Sequence, residues 1–140
     1  MKEYPGRMIS ILYRKSQIYF CQALKEHNLT TAEYPVLLHL EQAEGKTQEE
    51  VSSELSIDKS AITRAVQSLV DKGLVERIKD QQDKRCNRIY LTQKGKSSVF
   101  QVKQAVEDWN RIMTKHMTKN QIEEVMGLLS QMVDNIKEQK

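Results

Sequence analysis

Between Lys59 and Ser68 the sequence KSAITRAVQS places short hydroxyls, an amide and a guanidinium where one side of a helix would carry them. At roughly 100° per residue, Ile62, Val66, Leu69 and Val70 fall together. Arg64 lies almost opposite them, Ser60, Gln67 and Ser68 flank it, and Thr63 sits at the edge. Such groups can hydrogen-bond base edges and phosphates in a DNA major groove. An arginine can engage guanine O6 and N7 together, and a glutamine can pair with adenine N6 and N7. Lys59 and Ser60, at the helix start, suit phosphate contact near the positive end of the helix dipole. A merely solvated face would carry Glu and Lys in i,i+4 pairs, whereas this one has no acid before Asp71.

A second group lies in QQDKRCNR, residues 81–88. Lys84, Arg85 and Arg88 make this loop basic, and Arg85 can enter a minor groove, where narrow A·T tracts deepen the negative potential. Asp83 is expected to accept a hydrogen bond from Arg85 or from the loop backbone and so fix the guanidinium direction. From Lys72 to Lys96 there are eight Lys/Arg and three acids, so this segment carries +5 in a chain of net charge +3. A basic stripe on a near-neutral remainder suits local docking to a polyanion.

Caps and periodicity give the elements that must hold these groups. A first helix is expected from about Gly6 to Glu26, with Met8, Ile11, Leu12, Ile18, Tyr19 and Leu24 at helical spacing. Thr30 and Glu33 have the spacing of a capping box that opens a second helix, although Pro35 then falls one residue past the first turn. Thr47 with Glu50 opens a short third helix, Asp58 caps a fourth over Lys59–Lys72, and Gly73 is placed to end it in a left-handed conformation. Val51, Leu55, Ile57 and Ile62 have the spacing of a helix-turn-helix core. Leu74–Ile78 and Arg88–Leu91 read as strands enclosing the basic loop as a hairpin wing. Thr92 begins a long fifth helix, in which Val99, Val102, Val106, Trp109, Met113 and His116 follow a heptad-like seam. Thr118 and Gln121 cap a sixth helix, which carries Ile122, Val125, Met126, Leu129, Met132, Val133 and Ile136.

The expected fold is therefore mainly α, a winged helix-turn-helix with a small β-hairpin wing and a helical dimerisation region. Residues 30–92 would bind DNA, and residues 1–29 and 93–140 would dimerise. The terminal helices are amphipathic and too long to pack wholly on a small winged core. Met8, Ile11, Trp109, Met113, Ile122, Leu129 and Val133 are the candidate dimer residues. A twofold pair would set its two recognition helices about one DNA turn apart, ~34 Å.

Composition excludes several classes. The 140 residues suit one domain, or one domain plus a dimerisation extension, and 39% are apolar. No apolar run approaches the ~18–20 residues that span a bilayer, and MKEYPGRMIS lacks the apolar core of a signal peptide. A cytoplasmic protein with no membrane partner is expected. Cys21 and Cys86 are far apart without CxxC spacing, so neither a zinc knuckle nor a disulfide framework is indicated, and no cofactor is expected. No P-loop, GxSxG, HExxH or paired catalytic carboxylate spacing occurs, which argues against an enzyme.

The segment TQEEVSSELSIDKSAITRAVQSLVDKGLVERI, followed by QQDKRCNRIYLTQKG, resembles the MarR family of transcriptional regulators. The family's wing signature is matched by Asp83, Arg85, Leu91, Thr92, Lys94 and Gly95, and NLTTAEYPVLLHL resembles its second helix. Length and helix order match along nearly the whole chain. The resemblance implies a homodimer with interlocked first, fifth and sixth helices, two winged lobes, and a repressor of a pseudo-palindromic operator. Two positions depart from the family pattern: Ser56 stands where glycine is frequent in the turn, and Cys86 where serine or alanine often follows the wing arginine.

Family members often release DNA when a small molecule, an oxidant or a metal binds. Tyr13, Tyr19, Phe20, Tyr34 and His39 are the candidate lining of a small-molecule site, each with an alternative role as ordinary core. Oxidant sensing needs an exposed, low-pKa thiol. Cys86, beside Arg85 and Arg88, is the better candidate, whereas Cys21, within YFCQAL, is expected to be buried and inert. The three histidines and two cysteines are too dispersed for a metal site. A winged-helix protein-interaction adaptor that does not bind DNA is the rival to a DNA-binding regulator. It explains the caps and the seam but not the neutral helix face beside a basic wing.

Overall fold

Six helices and three short strands follow one another in a computed structural model that describes residues 2–137. They are α1 (Pro5–Lys25), α2 (Tyr34–Gln42), β1 (Lys46–Thr47), α3 (Gln48–Leu55), α4 (Lys59–Asp71), β2 (Val75–Lys79), β3 (Asn87–Leu91), α5 (Gln93–Met113) and α6 (Lys119–Lys137). The chain divides into two compact units between Glu107 and Asp108. Among the described residues, no helix is long and apolar enough to cross a membrane.

Local chemistry accounts for most boundaries. Pro5 stands in the first turn of α1, where its missing N–H costs nothing. The Thr30–Glu33 box does form, with Thr30 N donating to Glu33 Oε1 at 2.9 Å and Glu33 N to Thr30 Oγ1 at 3.2 Å. It closes a turn, however, and α2 begins only at Tyr34. That later start puts Pro35 inside the first helical turn and removes the misfit expected from the sequence. The boxes at Thr47–Glu50 and Thr118–Gln121 form where expected. Ser56 ends α3 with φ 56°, the left-handed conformation that accommodates glycine best.

The wing is a three-stranded sheet in the order β1-β3-β2, all antiparallel. The β2–β3 hairpin pairs Val75 with Leu91 and Lys79 with Asn87. β1 adds Lys46 opposite Ile89 and Thr47 opposite Arg88, a pairing too short to show in the sequence pattern. Gly73 ends α4 with φ 76°. Gly95 is required for a different reason. A Cβ there would lie 2.0 Å from the Leu74 carbonyl oxygen, so only glycine lets α5 start against the end of the α4–β2 link.

In the larger unit, Leu24, Leu37, Leu40, Val51, Ile62, Val66, Leu69, Ile89, Val99 and Val102 are buried, so each of α1–α5 and the sheet contributes to the buried apolar set. Ile62, Val66 and Leu69 are the stripe expected of α4, joined by Ala65, while Val70 is half-buried. In the smaller unit α6 buries no residue, and Val125, Met126, Leu128, Leu129, Met132, Val133 and Ile136 are all exposed.

Candidate nucleic-acid interface

Helix α4 is fixed at its start by Asp58, whose side chain accepts from Ser60 N at 3.2 Å and from the Ser60 hydroxyl. These bonds, Ser60 first, hold the Asp58 carboxyl below its ordinary pKa, with Arg64 adding a smaller Coulombic pull. Lys59, Ser60, Thr63, Arg64 and Gln67 are all exposed, as the helix periodicity predicts. Thr63 Oγ1 donates to the Lys59 carbonyl at 2.9 Å and accepts from Gln48 Nε2 at 3.3 Å, which ties α3 to the outer face of α4. Lys59 is ion-paired with Glu49, an acid on α3 that helix-by-helix reading of the sequence does not bring there.

Ser68 departs from the expected outward face. It is half-buried, and its hydroxyl donates to Glu33. Glu33 is 1% exposed and also accepts from Lys72 Nζ at 2.8 Å. Burial pushes the Glu33 carboxyl up, but the hydrogen bonds from Lys72, Ser68 and Thr30 outweigh it and leave the pKa below its ordinary value. The second half of α4 is thus fastened to the turn before α2 by a buried charged network. Buried charges of this kind require partners.

At the wing tip, Asp83 grips Arg85 in three ways. Its Oδ1 accepts from Arg85 N and Nε, each at 3.1 Å, and its Oδ2 accepts from Arg85 Nη2 at 3.2 Å. The Asp83 pKa is lowered chiefly by that guanidinium. The Arg85 side chain is nevertheless 89% exposed, so it is aimed rather than concealed. Lys84 is exposed beside it. Arg88 is placed otherwise than expected: Nη1 donates to the Gly45 carbonyl at 2.7 Å and Nε lies 3.3 Å from Asp80, so it fastens the root of the wing.

The two groups meet. Lys59 and Thr63 of α4, Gln48 and Glu49 of α3, and Arg85 and Cys86 of the wing line one open cleft of about 210 Å³. The Cys86 thiol is raised above its ordinary pKa by burial and by Asp83, whose Oδ2 lies 3.7 Å from the sulfur. That reverses the activation expected from the neighbouring arginines. Cys21, expected to be buried, is exposed on α1. Among the described residues, no cluster of three or more His, Cys, Asp or Glu could hold a metal.

The candidate ligand residues fall in three places. Tyr13 and Tyr34 line a cavity of about 490 Å³ together with Gln17, Leu55, Ile57, Ala61 and Ile62, so this space reaches the first turn of α4. Burial, and then Tyr13, raise the Tyr34 pKa. Phe20 is core, 4.7 Å from the Tyr34 ring at a tilt of 32° and edge-on to Tyr19 at 5.6 Å. His39 lies beside Tyr34 on a second surface hollow and bonds Glu54 Oε1 at 2.7 Å. Of the candidate dimer residues, Met8, Met113, Leu129 and Val133 are exposed in the single chain and Ile11, Trp109 and Ile122 are half-buried.

Sequence reading missed Glu33 as a clamp on α4, Glu49 beside Lys59, and Arg77. The Arg77 guanidinium on β2 donates to Gln67 Oε1. Only the capping-box spacing of Glu33 carried any signal, and it pointed to the helix start rather than to Lys72.

Comparison with known proteins places this geometry. A family model described as MarR family matches residues 27–85. The multiple antibiotic resistance protein MarR of Escherichia coli K12 is 31% identical over 129 residues, 91% of this chain and 90% of that protein. The crystal structure of a MarR transcriptional regulator from Methanosarcina mazei Go1 superposes with a TM-score of 0.90 at 36% identity, covering 96% of each chain. A mutant Escherichia coli MarR crystallised with operator DNA superposes with a TM-score of 0.81 at 31% identity, covering 91% of each chain. A relative from Clostridioides difficile, 24% identical over 85% of this chain and 80% of that protein, is named as an HTH-type transcriptional regulator. With its capped helix α4, its Asp83–Arg85 wing tip and this likeness over nine-tenths of its length, the chain belongs to the MarR family of winged helix-turn-helix transcriptional regulators.

Proposed function

We propose that the protein is a homodimeric, sequence-specific DNA-binding repressor that leaves its operator when a small molecule binds. The observation that carries this is the shared cleft: the start of α4 and the wing-tip Arg85 face one open space. A duplex laid across the mouth of this cleft would meet Lys59 and Thr63 at the cleft and the exposed Ser60, Arg64 and Gln67 of α4 in its major groove, with Lys84 and Arg85 on its flank. Asp83 serves as the aiming group for Arg85. The relative crystallised with operator DNA supports this use of the fold.

Dimerisation is supported by apolar surface that one chain leaves uncovered. Met8, Ile9 and Leu12 on α1 are exposed, as are seven apolar residues on α6. A monomer rarely leaves so many large apolar side chains open along one helix. We assign residues 1–29 and 93–140 to the dimerisation region and residues 30–92 to DNA binding. The effector site is assigned to the Tyr13–Tyr34 cavity, because it reaches Ala61 and Ile62 of the recognition helix. A neutral aromatic molecule with one hydrogen-bonding group suits its two phenols and apolar wall. Cys86 oxidation is the weaker signal, since burial and Asp83 raise the thiol pKa rather than lower it.

Fluorescence anisotropy with duplexes enriched from a random pool tests the proposal. Tight binding that falls steeply with salt and depends on sequence supports it. Equal, weak binding to every duplex would favour the adaptor alternative.

A further inference from the structure

We infer that Arg77 and Asp71 are specificity-determining positioning residues that lock the Gln67 side-chain amide for reading adenine. The inference rests on the DNA-binding role proposed above. Gln67 is exposed on the outer face of α4. Its Oε1 accepts from the Arg77 guanidinium on β2, and its Nε2 donates to Asp71 Oδ1 at 2.8 Å, one helical turn on.

The chemistry of the two partners fixes which end of the amide is which. A guanidinium can only donate, so it must meet the oxygen; an ionised carboxylate can only accept, so it must meet the nitrogen. An amide without such partners can flip by 180° at little cost, exchanging donor and acceptor. Here a flip would set Nε2 against a cation and Oε1 against an anion, and both charge-assisted bonds would be lost.

The remaining capacity decides the base. A primary amide has two N–H groups and two acceptor sites. With one of each used, Gln67 keeps one donor and one acceptor in a fixed order. That pair matches the N7 acceptor and N6 donor of adenine in the major groove, whereas guanine offers two acceptors there. Arg77 and Asp71 need touch no base to impose this choice.

The test uses the full-length protein and selection from a randomised duplex pool, followed by competition with duplexes substituted at each position. Wild type should select a motif in which one position per half-site loses its preference in Gln67→Ala. At that position adenine should be favoured roughly tenfold. Arg77→Met should reduce this to about two- to threefold there alone, with unchanged preferences elsewhere and an unchanged far-UV spectrum. Arg77→Lys, which keeps a cationic donor, should restore much of the preference. In the Gln67→Ala background, Arg77→Met should change nothing further at that position. Uniformly weaker binding by Arg77→Met, with the adenine preference intact, would overturn the inference and make Arg77 a plain phosphate contact. A wild-type protein that selects no motif would overturn the DNA-binding proposal itself, and this inference with it.

Discussion

The Glu33 carboxylate and the Lys72 ammonium stand 2.8 Å apart, with Glu33 1% exposed and Lys72 at the C-terminal end of α4. This pair, with Ser68, joins the turn before α2 to α4. Removing Glu33 would leave Lys72 facing a half-buried site without its anion and would free the far end of α4. Glu33→Ala should therefore cost about 3 kcal/mol of stability, read as a lower denaturation midpoint. The pH dependence follows from the same contact. The Glu33 pKa is depressed, so its contribution is complete above the unfolded value of about 4.3 and is lost as pH falls through the lower folded value. Glu33→Gln should lose less stability than wild type between pH 7 and pH 3. Equal acid losses in the two proteins would contradict this role.

Arg85 is aimed by Asp83 but carries little of the fold, since its side chain is 89% exposed. Arg85→Ala should weaken operator binding roughly tenfold and lower the salt slope by about 1. Its melting temperature should match that of wild type. Unaltered affinity in anisotropy would remove the wing from the interface.

Glu49 pairs with Lys59 at the mouth of the shared cleft, and the lysine holds the Glu49 carboxyl below its ordinary pKa. An approaching phosphate must compete with that carboxylate for Lys59. Glu49→Gln should tighten binding about two- to threefold at low salt, chiefly through faster association. Weaker binding by this variant would mean that the Glu49–Lys59 pair orients the lysine rather than competing for it.

Leu129 and Val133 lie on α6, exposed in the single chain. An aspartate at either position therefore costs an isolated chain little but sets a charge into any apolar seam between copies. Leu129→Asp should sediment as a monomer at micromolar concentration, with helix content preserved. A dimer of unchanged stability would place the interface elsewhere.

The parts legible in sequence were those set by local chemistry. Capping boxes at Thr47–Glu50 and Thr118–Gln121, the Asp58 cap and the Gly73 stop each depend on residues within one turn, and each forms. The exposed row Lys59, Ser60, Thr63, Arg64 and Gln67 followed from helix periodicity alone. Most of what escaped depends on partners distant in sequence or on burial. Ser68 turns inward because Glu33, 35 residues earlier, offers a buried acceptor. Arg88 is drawn to Gly45 by the register of β1 on β3, a pairing of two residues with no periodic signal, and to Asp80 across the β2–β3 hairpin. Cys86 looked activated by its arginine neighbours, yet in space Asp83 and burial dominate it. The Thr30–Glu33 box formed but closed a turn, because α2 begins where Pro35 falls in its first turn.

On the function proposed above, the outer face of α4 and the tip of the wing grip a duplex as a twofold pair. Selection of bound fragments from a random duplex pool by the wild-type protein decides whether they do. The predicted result is an inverted repeat with half-site centres about 10 base pairs apart, whose enrichment is lost in Arg64→Ala and Arg85→Ala proteins that still fold. A pool that emerges without a motif, or a motif that both variants select as strongly as wild type, would contradict it.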